Sequence, residues 1–123
     1  VTEIRDRNGA SVKKFDKVMA GHAAATNTEL SLIRDTMHAV TADRDGTVAF
    51  VFQNYPVSTA GKSGTAESPA AGKVDAWFIG FASFEAPSIA FVAVLDEFTE
   101  VPGRFGSVDS AMAVKTVLDA AFK

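Results

Sequence analysis

The sequence has no cysteine, two histidines and a single tryptophan. Without cysteine there is no disulfide, no thiolate metal ligand and no cysteine nucleophile. Positive charge is also scarce, since 12 Lys and Arg residues stand against 15 Asp and Glu, for a net charge of −3. A nucleic-acid partner needs a clustered basic face, so none is expected. No apolar run approaches the roughly 18 residues of a membrane-spanning helix.

The composition fits one globular domain. The 123 residues are 47% hydrophobic and 22% charged, which argues against disorder, collagen and coiled coil. The chain begins with Val1 rather than Met, and its first residues lack the basic start and apolar core of a signal peptide. We therefore expect it to be part of a longer protein.

The first half of the chain predicts a hairpin and a helix. The hairpin covers residues 1–15, because Asn8-Gly9 between short runs is a strong hairpin signal. The helix covers residues 26–44, and Thr26 and Glu29 form a capping-box pattern at its start. Helical spacing predicts one buried stripe made of Leu30, Ile33, Met37 and Val40. Residues 47–52 follow as a β-rich run.

The second half predicts three strands and a helix. The strands lie within residues 57–97, at about 57–67, 75–82 and 88–96, and such short connections favour antiparallel pairing. The dense apolar run of residues 89–95 indicates a strand covered on both faces. A helix over 107–123, capped by Ser107 or Asp109, buries Ala111, Val114, Leu118 and Ala121. The fold class is therefore α+β, with a three-stranded antiparallel meander flanked by helices and preceded by a β-hairpin.

The most unusual segment is Gly61-Lys62-Ser63-Gly64-Thr65-Ala66. Side chains alternate along a strand, so Ser63 and Thr65 share one face. Two hydroxyls beside a lysine can hold a carboxylate through charge-assisted hydrogen bonds. Gly64 has no Cβ, so a ligand backbone can approach the strand closely. An edge strand would also accept an extended peptide as an additional strand.

Two other interpretations of this segment are open from its residues alone. Lysine and serine at a strand edge can simply discourage aggregation. Gly61-Lys62-Ser63 also resembles the end of a phosphate loop, but that motif needs a glycine where Pro56 stands and a helix directly afterwards. No metal or cofactor is expected, because His22 and His38 lack ligand-like companions. His38 is predicted on the helix surface, and Trp77 is predicted to belong to the core rather than to a substrate groove.

The succession of segments resembles a known family. Lys62-Ser63-Gly64-Thr65-Ala66-Glu67 is followed by Asp75-Ala76-Trp77-Phe78-Ile79-Gly80-Phe81-Ala82 and then by the apolar strand from Pro87 to Glu97. This order is similar to the C-terminal part of the penicillin-binding protein transpeptidase domain, most of all in the monofunctional class B enzymes. The resemblance is clear over residues 28–97 and weaker in the hairpin and the last helix. It implies a partial β-lactamase/transpeptidase-like fold.

The resemblance also implies roles for residues 62–66, Lys-Ser-Gly-Thr-Ala, which we call the box. The family uses three motifs, Ser-x-x-Lys, Ser-x-Asn and Lys-Thr/Ser-Gly, and its serine forms a covalent acyl-enzyme. Lys62 would support the proton network around that serine, and the backbone N–H of Thr65 would be one oxyanion-hole donor. Ser63, Gly64 and Thr65 would bind substrate, with the two hydroxyls on the carboxylate of a peptidoglycan stem peptide or a β-lactam. No metal or other cofactor is implied.

The other two motifs are not convincing in this sequence. Ser11-Val12-Lys13-Lys14 matches Ser-x-x-Lys, but it lies on the predicted hairpin instead of at the start of a helix. No Ser-x-Asn occurs, and Ser107-Val108-Asp109 is the nearest approach. We therefore expect a catalytically incomplete portion of a D,D-transpeptidase that is inactive alone. The alternative is a non-catalytic peptide-binding or assembly module derived from the same fold.

The partners and location expected from the resemblance are those of cell-wall synthesis and cell division. They are the stem peptide, β-lactam antibiotics and the missing N-terminal part of the same domain. That part would add strands beside residues 89–95. Without it the edge of this strand is exposed, and we expect the chain alone to form a homodimer through that edge. The parent protein would lie on the extracytoplasmic face of the bacterial cell membrane, anchored by an N-terminal helix not present here.

Overall fold

The computed structural model describes residues 2–103 and 105–123. Within these ranges the chain forms β1 (Glu3–Arg5), β2 (Ser11–Lys14), α1 (Asn27–Ala42), β3 (Thr59–Glu67), β4 (Val74–Ala82), β5 (Ile89–Phe98) and α2 (Gly106–Ala121). An antiparallel hairpin joins β1 to β2, and an antiparallel meander has the order β3-β4-β5. The predicted α+β fold class is confirmed. Val1, where the predicted hairpin begins, lies outside the described residues.

The three-stranded sheet has two different sides. Ser63 is opposite Phe78 and Gly64 is opposite Trp77 in the register of β3 and β4. Side chains of directly opposed residues project to the same side of an antiparallel sheet. The side that carries Phe78 packs against α2, and we call it the α2 face. The side that carries Trp77 is the open face.

The core lies between the α2 face and α2. It contains Val48, Phe52, Phe78, Ala82, Ala111, Val114 and Leu118. The ring of Phe78 is fully buried between two other aromatic rings, with centroids 5.9 Å from Phe52 and 5.5 Å from Phe91. Three of the four residues predicted for the α2 stripe are therefore buried, whereas Ala121 is exposed.

The start of α2 differs from the prediction. The residue before the helix is Phe105, and no side chain caps the helix there, so neither Ser107 nor Asp109 is the cap. Instead the N–H of Gly106 donates to the Glu100 carboxylate at 3.2 Å. A Cβ at Gly106 would lie 2.4 Å from the Cβ of Ala76, so the first helical turn is pressed directly onto β4. Packing against the sheet decides where this helix begins.

Helix α1 has the predicted cap but not the predicted stripe. The Thr26 hydroxyl accepts the N–H of Glu29 at 3.3 Å, and the Glu29 carboxylate accepts the N–H of Thr26 at 2.7 Å. Leu30 and Ile33, however, are 41% and 51% exposed. Only the C-terminal half of α1 is covered, where Met37 and Val40 are half-buried and Thr41 is buried. The stripe prediction is thus wrong for the first half of the helix.

Two further expectations are corrected. Residues 47–52 form consecutive turns instead of an extended run, with N–H to C=O bonds three residues apart, and these turns bury Val48 and Phe52. Strand β5 is not covered on both faces, because Val92 and Val94 are 62% and 41% exposed on the open face. Its composition suits burial, but no described residue packs over that part of the sheet.

Candidate functional site on the edge strand β3

The solvent exposure of β3 changes along its length. Its first three residues, Thr59, Ala60 and Gly61, are buried, whereas residues 62–67 are exposed apart from half-buried Ser63. The whole strand pairs with β4, from Thr59 opposite Ala82 to Glu67 opposite Val74. The box residues therefore stand on a strand that is anchored at its start and accessible afterwards.

One edge of β3 carries no strand among the described residues. The carbonyl of Thr59 accepts hydrogen bonds from α1, and the carbonyl of Ser63 accepts one from the Lys62 ammonium at 2.6 Å. Both carbonyls therefore point away from β4. In an antiparallel strand the N–H and C=O of one residue point to the same side, and the side alternates from residue to residue. The N–H of Thr65 consequently lies on the same free edge as the carbonyl of Ser63.

The side chains of the box start from both faces of the sheet, and their polar groups lie near the free edge of β3. Ser63 and Thr65 lie opposite Phe78 and Ala76, so both project to the α2 face, as the alternation predicts. Lys62 lies opposite Ile79 and starts from the open face, but its ammonium curls back to the Ser63 carbonyl. A positive charge, two hydroxyls and outward-pointing N–H groups are thus gathered along one short stretch of edge.

The space beside Gly64 is open. A Cβ built on Gly64 would meet only the Cβ of Trp77, at an ordinary contact distance of 3.8 Å. Trp77 itself is 41% exposed on the open face, while its neighbour Phe78 is fully buried. The prediction of a core tryptophan is therefore wrong. Trp77 forms part of the accessible surface next to the box.

The start of β3 is hydrogen-bonded to His38, which is predicted to lie on the helix surface. The Nδ1 atom of His38 lies 2.6 Å from the carbonyl oxygen of Thr59, and the Thr41 hydroxyl donates to the same oxygen at 2.6 Å. The His38 ring is stacked on Phe84, with centroids 4.2 Å apart and planes at 11°. His38 is half-buried between α1 and the sheet. The surface prediction is wrong. In the sequence, the i, i+3 spacing of His38 and Thr41 indicates only that the two side chains share one face of α1.

The turn between β4 and β5 is hydrogen-bonded to α1 and to Ser58, the residue before β3. The N–H of Phe84 donates to the Ser58 carbonyl at 3.0 Å, and Nη2 of Arg34 donates to the Phe84 carbonyl at 2.7 Å. The Ser58 hydroxyl donates to the Glu85 carboxylate. This hydrogen bond is the main reason that the pKa of Glu85 is lowered, with a smaller contribution from a hydrogen bond to the backbone of Glu85 itself. Helix α1, the start of β3 and this turn form one connected polar junction.

The remaining candidate residues lie apart from this junction. Ser11 stands exposed in β2, opposite Arg5 of the hairpin, and not at the start of a helix. Across residues 2–103 and 105–123, no three histidine or acidic side chains cluster as a metal site requires. In the same ranges no helix is long and apolar enough to cross a bilayer.

Comparison with known proteins assigns the family. Residues 1–119 match the model of the penicillin binding protein transpeptidase domain. No curated protein matches the sequence significantly. The chain belongs to the penicillin-binding protein transpeptidase domain family.

Solved structures agree with this assignment. The D,D-transpeptidase domain of a peptidoglycan glycosyltransferase from Eggerthella lenta is 25% identical, with a TM-score of 0.59 over 98% of this chain. Penicillin-binding protein A from M. tuberculosis, solved as an imipenem acyl-enzyme complex, is 21% identical, with a TM-score of 0.66 over 99% of this chain. A second structure of that protein gives 22% identity and a TM-score of 0.60. The chain spans only 27%, 26% and 29% of these three structures.

Proposed function

We propose that this chain is the portion of a peptidoglycan D,D-transpeptidase that binds the substrate carboxylate and supplies half of the oxyanion hole. The observation that carries the proposal is the free edge of β3, where the N–H of Thr65 lies next to the Ser63 carbonyl and the Lys62 ammonium. Membership of the transpeptidase family supports it. The substrate class is an extended peptide ending in a carboxylate, or a β-lactam that mimics it.

Each part of this edge suits one task in acyl transfer. Backbone N–H groups aimed at a developing oxyanion stabilise the tetrahedral intermediate, and the loss of one such donor costs about 10²–10³ in rate. The hydroxyls of Ser63 and Thr65 share a face and suit a carboxylate. The exposed ammonium of Lys62 adds a positive charge that favours the anionic groups of the substrate and of the transition state.

These residues do not supply the nucleophile. The sequence holds no Ser-x-Asn, and its Ser-x-x-Lys stands on the hairpin strand β2. The serine that attacks the peptide carbonyl would belong to the remaining part of the domain. Its own N–H would be the second oxyanion donor, and the 123 residues alone would be inactive.

The test uses the complete transpeptidase domain that contains this chain, labelled with a fluorescent penicillin. Thr65→Pro removes the N–H that faces the free edge without removing a bond to β4, since proline is tolerated at edge positions of this kind. We expect the acylation rate to fall about 10²–10³-fold. Glu67→Pro is the matched control, because Glu67 is on the same edge two residues further on, and acylation should stay within about threefold of wild type.

Three results would contradict the proposal. Equal acylation of the Thr65→Pro and wild-type domains would remove the oxyanion role. Stoichiometric labelling of the 123 residues alone, at Ser11 or elsewhere, would show that the nucleophile lies within them. A complete domain that lacks Ser-x-x-Lys on a helix and is not labelled would favour the alternative, a non-catalytic peptide-binding or assembly module.

The outer edge of β5 indicates a second partner. Among the described strands β5 pairs only with β4, and a groove of about 330 Å³ lies between β5 and α2, lined by apolar residues such as Phe91, Val114 and Val117. We propose that the remaining part of the same domain covers this edge, at the extracytoplasmic side of the cell membrane. Without it, a homodimer through β5 is expected, and a stable 12.9 kDa monomer in gel filtration would contradict this.

A further inference from the structure

Three polar side chains of α1 bind backbone carbonyls, two of them at the start of β3 and one of them in the turn between β4 and β5. Arg34, His38 and Thr41 follow one another four and three residues apart, so they lie on one face of the helix. Arg34 binds the carbonyl of Phe84, and His38 and Thr41 both bind the carbonyl of Thr59. We call these three residues the α1 anchor.

We propose that the α1 anchor positions the free edge of β3 for acyl transfer, with His38 as its central positioning residue. This inference rests on the function proposed above. It concerns residues that lie outside the box and have no direct contact with Lys62, Ser63 or Thr65 among the hydrogen bonds described for them.

The chemistry of His38 makes its hydrogen bond directional. A carbonyl oxygen can only accept, so Nδ1 must carry the proton that lies between it and Thr59. Stacking on Phe84 fixes the plane of the ring. The Arg34 guanidinium lies 5.4 Å from the centre of the same Phe84 ring. The orientation of the His38 ring is therefore fixed by its attachment to α1 and by its contact with the β4–β5 turn.

The Thr59 carbonyl, which His38 and Thr41 bind, lies on the same edge of β3 as the proposed site. Thr59 is six residues before Thr65, which is about 20 Å along a strand. All residues from Thr59 to Glu67 are paired with β4 in one continuous ladder. A displacement of the backbone at Thr59 is therefore expected to shift the following residues of the strand, including the box. A misplacement of about 1 Å costs acyl-transfer chemistry on the order of 10²-fold. The anchor also occupies the first carbonyl of the free edge, so an added peptide strand can pair only beyond it.

The test compares His38→Leu with His38→Asn in the complete transpeptidase domain. The Asn amide N–H takes the place of Nδ1–H, whereas Leu keeps the bulk and loses the donor. The acylation rate constant for a fluorescent penicillin should fall about tenfold or more in His38→Leu and return to within about threefold of wild type in His38→Asn. The non-covalent dissociation constant should change less than the rate constant, which a general loss of stability would not produce.

Thr41 provides a second pair if His38→Leu fails to fold. Thr41→Val removes a donor to the same Thr59 oxygen and should lower the rate constant by about threefold or more. Thr36→Val is its matched control, because among the described residues the Thr36 hydroxyl bonds within α1, to Leu32 and Ile33. Wild-type rates in both His38→Leu and Thr41→Val would overturn this inference alone. A wild-type domain that penicillin does not acylate would overturn the proposed function, and this inference with it.

Discussion

The two faces of the three-stranded sheet are built from similar residues but differ in what covers them. On the α2 face Phe78 is fully buried against Val114 and Leu118 of the facing helix. On the open face Ile79, next to Phe78 in sequence, is 46% exposed, and Val92 of β5 is 62% exposed. Only the end of the open face near Phe81 is covered, where the Arg34 guanidinium lies 5.7 Å from the ring.

This difference shows that apolar composition alone does not define the core of this chain. The α2 face stabilises the described structure, because its side chains exchange water for close packing. The open face contributes less and leaves apolar surface free beside Lys62 and Gly64. Substitutions at matched positions on the two faces should therefore have very different effects.

The largest difference is expected between the neighbours Phe78 and Trp77. Phe78→Ala removes a fully buried ring and leaves a cavity beside Phe52 and Phe91, which should lower the free energy of unfolding by about 3–5 kcal/mol. Trp77→Ala removes a larger ring that is 41% exposed, and its cost should stay below about 2 kcal/mol. Urea unfolding followed by far-ultraviolet circular dichroism measures both, and similar losses would mean that the open face is packed as tightly as the other.

A smaller difference is expected between two glycines of β3. A Cβ at Gly61, on the α2 face, would lie 2.4 Å from Cζ of Phe78, so Gly61→Ala should destabilise the fold by about 1–3 kcal/mol. Gly64 is its matched control on the open face, where Gly64→Ala should change stability by no more than about 0.5 kcal/mol. The same unfolding experiment tests the pair, and a tolerated Gly61→Ala would show that the Phe78 ring can move aside.

The smallest effect concerns Tyr55, which packs at the border of the core. Burial, with a hydrogen bond to Asp119 and the negative charge of that residue, raises the pKa of Tyr55 to about 12. A phenol in the unfolded chain titrates near pH 10. Between about pH 10 and pH 12 the unfolded chain therefore loses this proton first, and stability should fall as pH rises through that window.

Tyr55→Phe should flatten this part of the pH dependence, as measured by urea unfolding at several values between pH 9 and about pH 12. Asp119→Asn is a useful companion, because it keeps the phenol and removes the charge that helps to raise its pKa. An unchanged slope in Tyr55→Phe would mean that the phenol is as hydrated as an exposed one.

Local features of the fold were predictable because neighbouring residues determine them. The capping box depends on Thr26 and Glu29 alone, and both of its hydrogen bonds are present. The shared face of Ser63 and Thr65 follows from strand alternation, which the register with β4 confirms. The antiparallel order of the strands follows from the shortness of their connections. The box and the order of its following strands likewise indicated the family, which the match over residues 1–119 confirms.

Features that depend on distant elements were not predictable from local pattern. Leu30 and Ile33 have helical spacing suited to a core, but their exposure depends on which elements pack against α1. The position of His38 depends on a contact with Thr59, and that of Arg34 on a contact with Phe84, across separations that periodicity does not report. The start of α2 at Gly106 depends on its close approach to Ala76.

The sequence by itself therefore determined the two long helices, the three strands of the sheet with their antiparallel order, and the residues of the box, because backbone propensities and strand alternation act over a few positions. Only the tertiary structure decided which face of the sheet became the core and which edge of β3 stayed free. It also decided that α1 holds the start of that edge through His38 and Thr41. These outcomes come from packing and hydrogen bonding between segments far apart in the chain, where the energy of each contact depends on the whole arrangement.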